Sequence, residues 1–299
     1  MTGPNCVLLP DRGVIGVTGP DAEKLLQGVI TGDMELLKED RNALHAGLLT
    51  PQGKILFDFF VVRSGDGFFI ETGREQVADL LKRLSMYKLR ADVGIADESS
   101  AYSVVAVWGN DAGSVMSRSE YVAFADPRLP AMGFRVLLPT DSSVAQEQLR
   151  GDAVGLEDYQ SMRVGFGVPE AGKDYQLGQT FPHEALFDQL GGVSFTKGCF
   201  VGQEVVSRMQ HRGTARKRVV PVVASGSLPE SGSEVRAGSS LIGTLGSVSG
   251  NSALGLLRLD RAAEAMAKGE ALKAGEVPVS IEIPDWATFG LGDEAEAGK

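Results

Sequence analysis

The sequence predicts an α+β fold that gives way to a β-rich C-terminal domain. Three observations carry this expectation. Up to about Arg218, strand-like apolar runs mix with amphipathic helices in no regular β-α-β alternation, and no GxGxxG element occurs, so a doubly wound nucleotide-binding sheet is not expected. Beyond Arg218, Gly and Ser punctuate short apolar or alternating runs, the texture of a small barrel or sandwich. With 299 residues and 43% hydrophobic composition, the chain can build two or three packed cores.

The elements follow in order. Val14–Val17 reads as a strand, and Thr18-Gly-Pro-Asp21 leads into a short helix with Leu25, Leu26 and Val29 on its apolar face. Leu44–Leu49 and Ile55–Arg63 read as strands joined by the turn Thr50-Pro-Gln-Gly53. Phe68–Glu71 is a further strand. Val77, Leu80, Leu81 and Leu84 share one face of a helix over Arg74–Met86. Val93–Ala96, Tyr102–Trp108, Tyr121–Phe124 and Phe134–Leu138 read as strands, and Asp141–Leu149 and Leu156–Val164 as helices. A short strand, Val193–Phe195, precedes a helix from Gln203 to Met209. The β-rich part comprises Val219–Val223, Glu234–Arg236, Ser240–Val248, Ala253–Leu259 and Val277–Ile283, and an acidic tail from Gly290 reads as disordered.

Composition excludes several classes. No apolar run approaches the roughly 18 residues of a membrane span, so no membrane contact is expected. Met1–Pro10 shows neither a secretory nor an organellar targeting pattern, and the chain is expected in the cytoplasm. The two cysteines, Cys6 and Cys199, are too few for a disulfide framework or for four thiolates around a cluster. The three histidines have no zinc-ligand spacing, and no protein-built metal centre is expected. A net charge of −10 disfavours broad nucleic-acid binding. One basic run, Arg208 to Arg218, departs from that balance.

The most informative segment is Phe195-Thr-Lys-Gly-Cys-Phe-Val-Gly-Gln-Glu204. Gly198 and Gly202 permit a tight turn with close backbone approach. Cys199 then stands beside Lys197 and near the positive end of a helix, two features that favour a thiolate. Polar and glycine neighbours are poor core lining, which points to a working cysteine rather than a packed one. Asp58 lies inside the apolar run Ile-Leu-Phe-Asp-Phe-Phe, where an unpaired carboxylate is costly.

Lys197-Gly-Cys-Phe-x-Gly-Gln-Glu204 resembles the K-G-C-Y-x-G-Q-E signature of YgfZ-like proteins in the folate-binding T-protein (aminomethyltransferase) superfamily, with Phe200 in place of Tyr. Other stretches are similar to that family as well. They are Leu25-Leu-Gln-Gly28 with Thr31-Gly-Asp33, Leu48-Leu-Thr-Pro-Gln-Gly53 with Asp58, Arg163-Val-Gly-Phe-Gly-Val-Pro-Glu170, Phe181-Pro-His-Glu-Ala185 and Ile283-Pro-Asp-Trp286. The resemblance implies two ferredoxin-like α+β units and a C-terminal β-barrel around a central channel. The implied limits are 1–100 and 101–212 for the α+β units, 213–290 for the barrel and 291–299 for the tail.

The resemblance also implies tetrahydrofolate or a derivative as ligand. Glu184 matches the carboxylate that accepts from the pterin edge. Asp58 matches one member of an Asp pair near the folate nitrogen that receives the one-carbon unit; Phe57 replaces the other. Lys197, Gln203, Arg208 and Arg212 complete the expected cofactor-binding set, and Cys199 is the expected catalytic residue. Gln203 and Glu204 either touch ligand or fix the turn. For the basic run two readings stand: Arg208 and Arg212 hold folate glutamate carboxylates, or the segment touches RNA. The implied function is a folate-binding accessory factor for iron–sulfur client enzymes, including those that modify tRNA, rather than a transferase. The alternatives are aminomethyltransferase-type one-carbon transfer and a non-catalytic docking module for client or tRNA.

Overall fold

The computed structural model describes residues 3–37, 42–117, 120–141, 152–213 and 215–292. The chain divides into two compact units. The first comprises Met1–Thr50, Leu56–Tyr159 and Leu190–Val201; the second comprises Pro51–Ile55, Gln160–Gln189 and Gly202–Lys299.

The first unit carries two five-stranded sheets. Its strands are β1 (Asn5–Leu8), β2 (Arg12–Thr18), β3 (Ala43–Leu49), β4 (Ile55–Ser64), β5 (Gly67–Gly73), β6 (Gly94–Asp97), β7 (Tyr102–Trp108), β8 (Val122–Ala125), β9 (Phe134–Pro139) and β10 (Asp152–Ala153). One sheet has the order β3-β4-β5-β2-β6 and the other β10-β1-β7-β9-β8. The first strand of the chain therefore pairs with β7, in the sheet built mostly from later residues.

Helices α1 (Ala22–Val29) and α2 (Val77–Lys88) cover one face of the first sheet. Val77, Leu80 and Leu84 are the buried residues of α2, as the 3,4-spacing predicts. From α2 the core continues through Ile15, Leu26, Phe57, Phe59 and Val61. Every residue of β3 is buried, the pattern of a strand covered on both faces. Side chains alternate along β4, so Leu56, Asp58 and Phe60 share the face opposite Phe57 and Phe59. Phe60 packs edge-on against Phe124 of β8, with ring centroids 6.1 Å apart.

The second unit contains most of α3 (Leu156–Gly165), together with α4 (Gln203–Arg212), α5 (Leu259–Ala267) and a closed barrel. The barrel order is β11 (Lys217–Val223), β14 (Ser252–Arg258), β13 (Ser240–Ser249), β12 (Glu234–Ala237), β15 (Leu272–Ala274) and β16 (Val277–Ile281). Pairing of β11 with β16 closes the ring and removes the free edges an open sheet would present. Val220, Val222, Val235, Ile242, Leu245 and Leu257 fill its core.

The α+β character and the β-rich end agree with the sequence, and barrel rather than sandwich is the outcome. Two local expectations differ. Val193–Phe195 forms no strand, because its backbone bonds to a turn rather than to a ladder: Ser194 N–H donates to Thr31 O at 2.9 Å. The apolar run ending at Leu259 is a strand that passes directly into α5. All but the first residue of the predicted helix Asp141–Leu149, and the tail beyond residue 292, lie outside the described residues.

Candidate functional site

In the first unit, the early motif and the cysteine signature bind each other. Thr31 Oγ1 donates to Gly192 O at 2.5 Å and accepts from Gly47 N–H at 2.7 Å. Asp33 Oδ1 accepts from Gln27 Nε2 (2.9 Å) and from Glu35 N–H (3.1 Å), while Gln27 Oε1 accepts from Met34 N–H at 2.8 Å. This turn presents two carbonyls to Lys197, whose Nζ donates to Ile30 O at 3.0 Å and to Gly32 O at 2.6 Å. The ammonium also lies 5.6 Å from the Phe200 ring centroid. Burial pushes the Lys197 pKa down to about 8, against the pull of Asp33.

The lysine of the signature thus points into protein. Cys199 is an exposed free thiol on the same loop, between the exposed Gly198 and the buried Phe200. Gly202 has φ +80 and caps α4, so it needs glycine; Gly198 has no positive φ.

Asp58 is paired, as its cost in an apolar strand requires. Its Oδ1 lies 3.0 Å from His45 Nε2, and the side chains are 15% and 3% exposed respectively. His45 Nδ1 faces Leu190 O at 3.1 Å, so the ring bridges an acceptor on each side. One proton must lie between Nε2 and Oδ1 for both contacts to be hydrogen bonds. Thr72 Oγ1 donates to Asp58 O at 2.9 Å. Nearby, Arg128 stacks 4.9 Å from the Phe60 centroid and pairs with Asp126 at 2.7 Å. Burial alone would raise the Asp126 pKa; the Arg128 guanidinium outweighs it and holds the carboxyl low.

In the second unit, Glu184 Oε2 accepts from the Phe181 N–H at 2.8 Å, which fixes the direction of the carboxylate. Glu184 O accepts from Val219 N–H at 2.8 Å, tying the segment to β11. Lys54 Nζ sits 3.1 Å from the Phe181 ring centroid. Burial lowers the Lys54 pKa, Glu184 draws it back up, and Lys217 adds to the lowering. An acceptor-only carboxylate held by its own backbone beside a cation suits the adjacent N–H donors of a pterin edge. Gln203 opens α4, half-buried, and Arg208 and Arg212 are exposed one turn apart on it.

Arg218 does not extend that exposed run. It is 6% exposed, donates to Asp188 Oδ1 and His183 O at 2.9 Å each, and lies 4.5 Å from the Phe289 ring. The end of the segment read as an RNA contact is therefore internal.

Residues 11–139 match the GCVT N-terminal domain, and residues 216–289 match the CAF17 C-terminal beta-barrel domain. The mitochondrial iron–sulfur cluster assembly factor IBA57 of Mus musculus is 30% identical over 313 residues, covering 94% of this chain and 85% of the relative. The chain belongs to the IBA57 family. The mitochondrial IBA57 homolog of Coccidioides immitis (strain RS) is 36% identical over 239 residues, covering 72% of this chain but only 56% of the relative. The chain thus spans little more than half the length of several curated relatives it matches. The fold is that of the T-protein: the glycine cleavage system aminomethyltransferase T from Bartonella henselae superposes with a TM-score of 0.75 at 17% identity, over 96% of this chain and 87% of that one.

Membership of the IBA57 family moves the YgfZ resemblance to a neighbouring branch of one superfamily. The signature encodes a lysine anchor and a helix start, which carry no branch label. The cytoplasmic expectation is corrected: IBA57 relatives are mitochondrial by name, and the expectation rested only on the composition of residues 1–10. Sequence reasoning missed His45 and Lys54. The cost of Asp58 announced a partner but not its identity, and no motif or spacing marks Lys54.

Proposed function

We propose that this IBA57-family chain supports the assembly of iron–sulfur proteins, presents Cys199 as its working thiol and binds tetrahydrofolate or a derivative. The observation that carries the reading is the exposed Cys199 on a loop anchored by a buried lysine. A thiol so placed can meet sulfur, iron or a partner thiol from outside. One cysteine cannot hold a cluster alone, so cluster ligation through it draws further ligands from a client protein or a small thiol. The relatives' names support the assembly role.

For folate, Glu184 would accept from the pterin. Lys54, on the Phe181 ring, is the cation beside that carboxylate. Asp58, paired with His45 in the first unit, enters this reading only through the family resemblance of its strand. Arg208 and Arg212 would hold glutamate carboxylates, with RNA phosphates as the competing partner. Affinity for RNA that falls steeply with salt, and is lost when both arginines are replaced, would favour that second reading.

The test is calorimetric titration of the purified protein with tetrahydrofolate. Binding weakened by about 2–3 kcal/mol in Glu184→Ala is the expected result, the loss of a charge-assisted contact. Unchanged affinity removes Glu184 from the site. No binding by the unsubstituted chain removes folate from the proposal.

A further inference from the structure

We infer that Lys197 is a positioning residue for Cys199: a buried latch that ties the cysteine loop to the Ile30–Asp33 turn, rather than a contact for ligand. The functional consequence rests on the reading of Cys199 as the working thiol; the latch itself does not.

Residues 193–200 belong to no helix or strand, so nothing periodic holds them. Their order comes from a few anchors to one turn. Ser194 N–H donates to Thr31 O at 2.9 Å, and Lys197 N–H to Ser194 Oγ at 3.2 Å. Thr31 Oγ1 holds Gly192 O, and the Lys197 ammonium holds the carbonyls on either side of Thr31. The turn is itself braced by Gln27, Asp33 and the Gly47 N–H, so the latch closes on a fixed surface. Phe200 is buried immediately after Cys199. The thiol therefore stands between two anchored neighbours, with only Gly198 between it and the latch.

An ammonium has three donors and uses two of them here on convergent carbonyls. A neutral amine keeps two N–H groups, so the latch survives loss of the proton that burial makes easier. No apolar side chain can replace it, because both carbonyls would lose their donor. The arrangement also gives the two motifs a common reason: one supplies the carbonyls, the other the lysine. This differs from acidification of the thiol by the lysine, since the ammonium is committed elsewhere.

The test uses the full chain in a Cys6→Ala background, with a nitroxide attached to Cys199 and followed by electron paramagnetic resonance. With Lys197 present the label should show slow, restricted motion. In Lys197→Met its correlation time should shorten several-fold, and amide hydrogen exchange should quicken in 30–33 and 192–200 but not in the barrel strands. A purely structural lysine would instead loosen the whole unit. Unchanged label motion in a folded Lys197→Met protein overturns the latch.

If that variant does not fold, hydrogen exchange of the unsubstituted chain decides. Segments 30–33 and 192–200 must open together; independent opening overturns the proposal. Support of iron–sulfur enzymes is the separate functional arm. A freed label with support lost, as in Cys199→Ser, upholds both the latch and the thiol reading. A freed label with full support upholds the latch and overturns the thiol reading.

Discussion

A lysine buried against two carbonyls holds its proton less tightly than it does in the unfolded chain, and that difference is a stability term. The Lys197 pKa is about 8 in the folded protein against 10.5 in the unfolded one, so between these values the unfolded state binds more protons. Stability contributed by this residue therefore rises with pH across that window, by about 3 kcal/mol at most. Comparing Lys197 with Lys197→Met by denaturant unfolding should show the wild-type advantage growing from pH 8 to 10.5; a constant difference contradicts the burial argument. His183 works in the same direction at lower pH. Burial, partly offset by Asp188 and the Gln210 hydrogen bond, holds its pKa below 6.5. The protein should thus lose stability as pH falls below 6.5, less steeply in His183→Asn, and equal acid limbs would refute this. Glu184, Cys199 and Asp58 stood out in the sequence as candidates. Their surroundings did not: His45 stands 13 residues before Asp58, and only adjacency of β3 and β4 joins them.

At the scale of elements, glycines and a buried guanidinium set the geometry around α4 and the barrel. Gly53 has φ +78, and a Cβ there would stand 2.9 Å from Val205 Cβ, so the Thr50-Pro-Gln-Gly53 turn seats closely on the start of α4. Gly202 caps α4 in the left-handed region, where a Cβ costs about 1–2 kcal/mol. Gly202→Ala should lower stability by that amount in chemical denaturation; no loss would show that the turn relaxes. Arg163 is wholly buried. It donates to Val168 O (2.8 Å), Asp174 Oδ2 (2.5 Å) and Ser247 Oγ (2.5 Å), bracing α3 to β13. Arg163→Met leaves Asp174 buried without its cation and should cost about 3–5 kcal/mol in unfolding experiments. A loss below about 1 kcal/mol would contradict that bracing. The Arg-x-x-x-Gly-x-Pro stretch was visible as a motif, but its structural work was not, since Asp174 and Ser247 lie outside it. The strands and α2 were legible because period-2 and period-3.6 patterns report burial directly. Helix α5 was hidden because its first residue, Leu259, follows β14 directly, with only Arg258 between it and the apolar residues of the strand.

For the whole molecule, an α+β part followed by a β-rich end was readable from the change of texture near Arg218, and the barrel only from the family resemblance. The division into units was not, because it is discontinuous. Residues 51–55 and 160–189 join the barrel-bearing unit, while 190–201 belong to the other. A pattern read along the chain cannot show such a return. Cys199 in one unit and Glu184 in the other are thus two parts of the proposed activity, a thiol and a ligand carboxylate, and they need separate tests. The first and more central is the thiol. Cells lacking their own IBA57-family protein, supplied with this chain or with Cys199→Ser, would be assayed for iron–sulfur enzyme activity at matched protein levels. Restoration by the unsubstituted chain, and none by a folded Cys199→Ser, is the result predicted here. Equal restoration by both would contradict a working role for the thiol, and restoration by neither would contradict the assembly function itself.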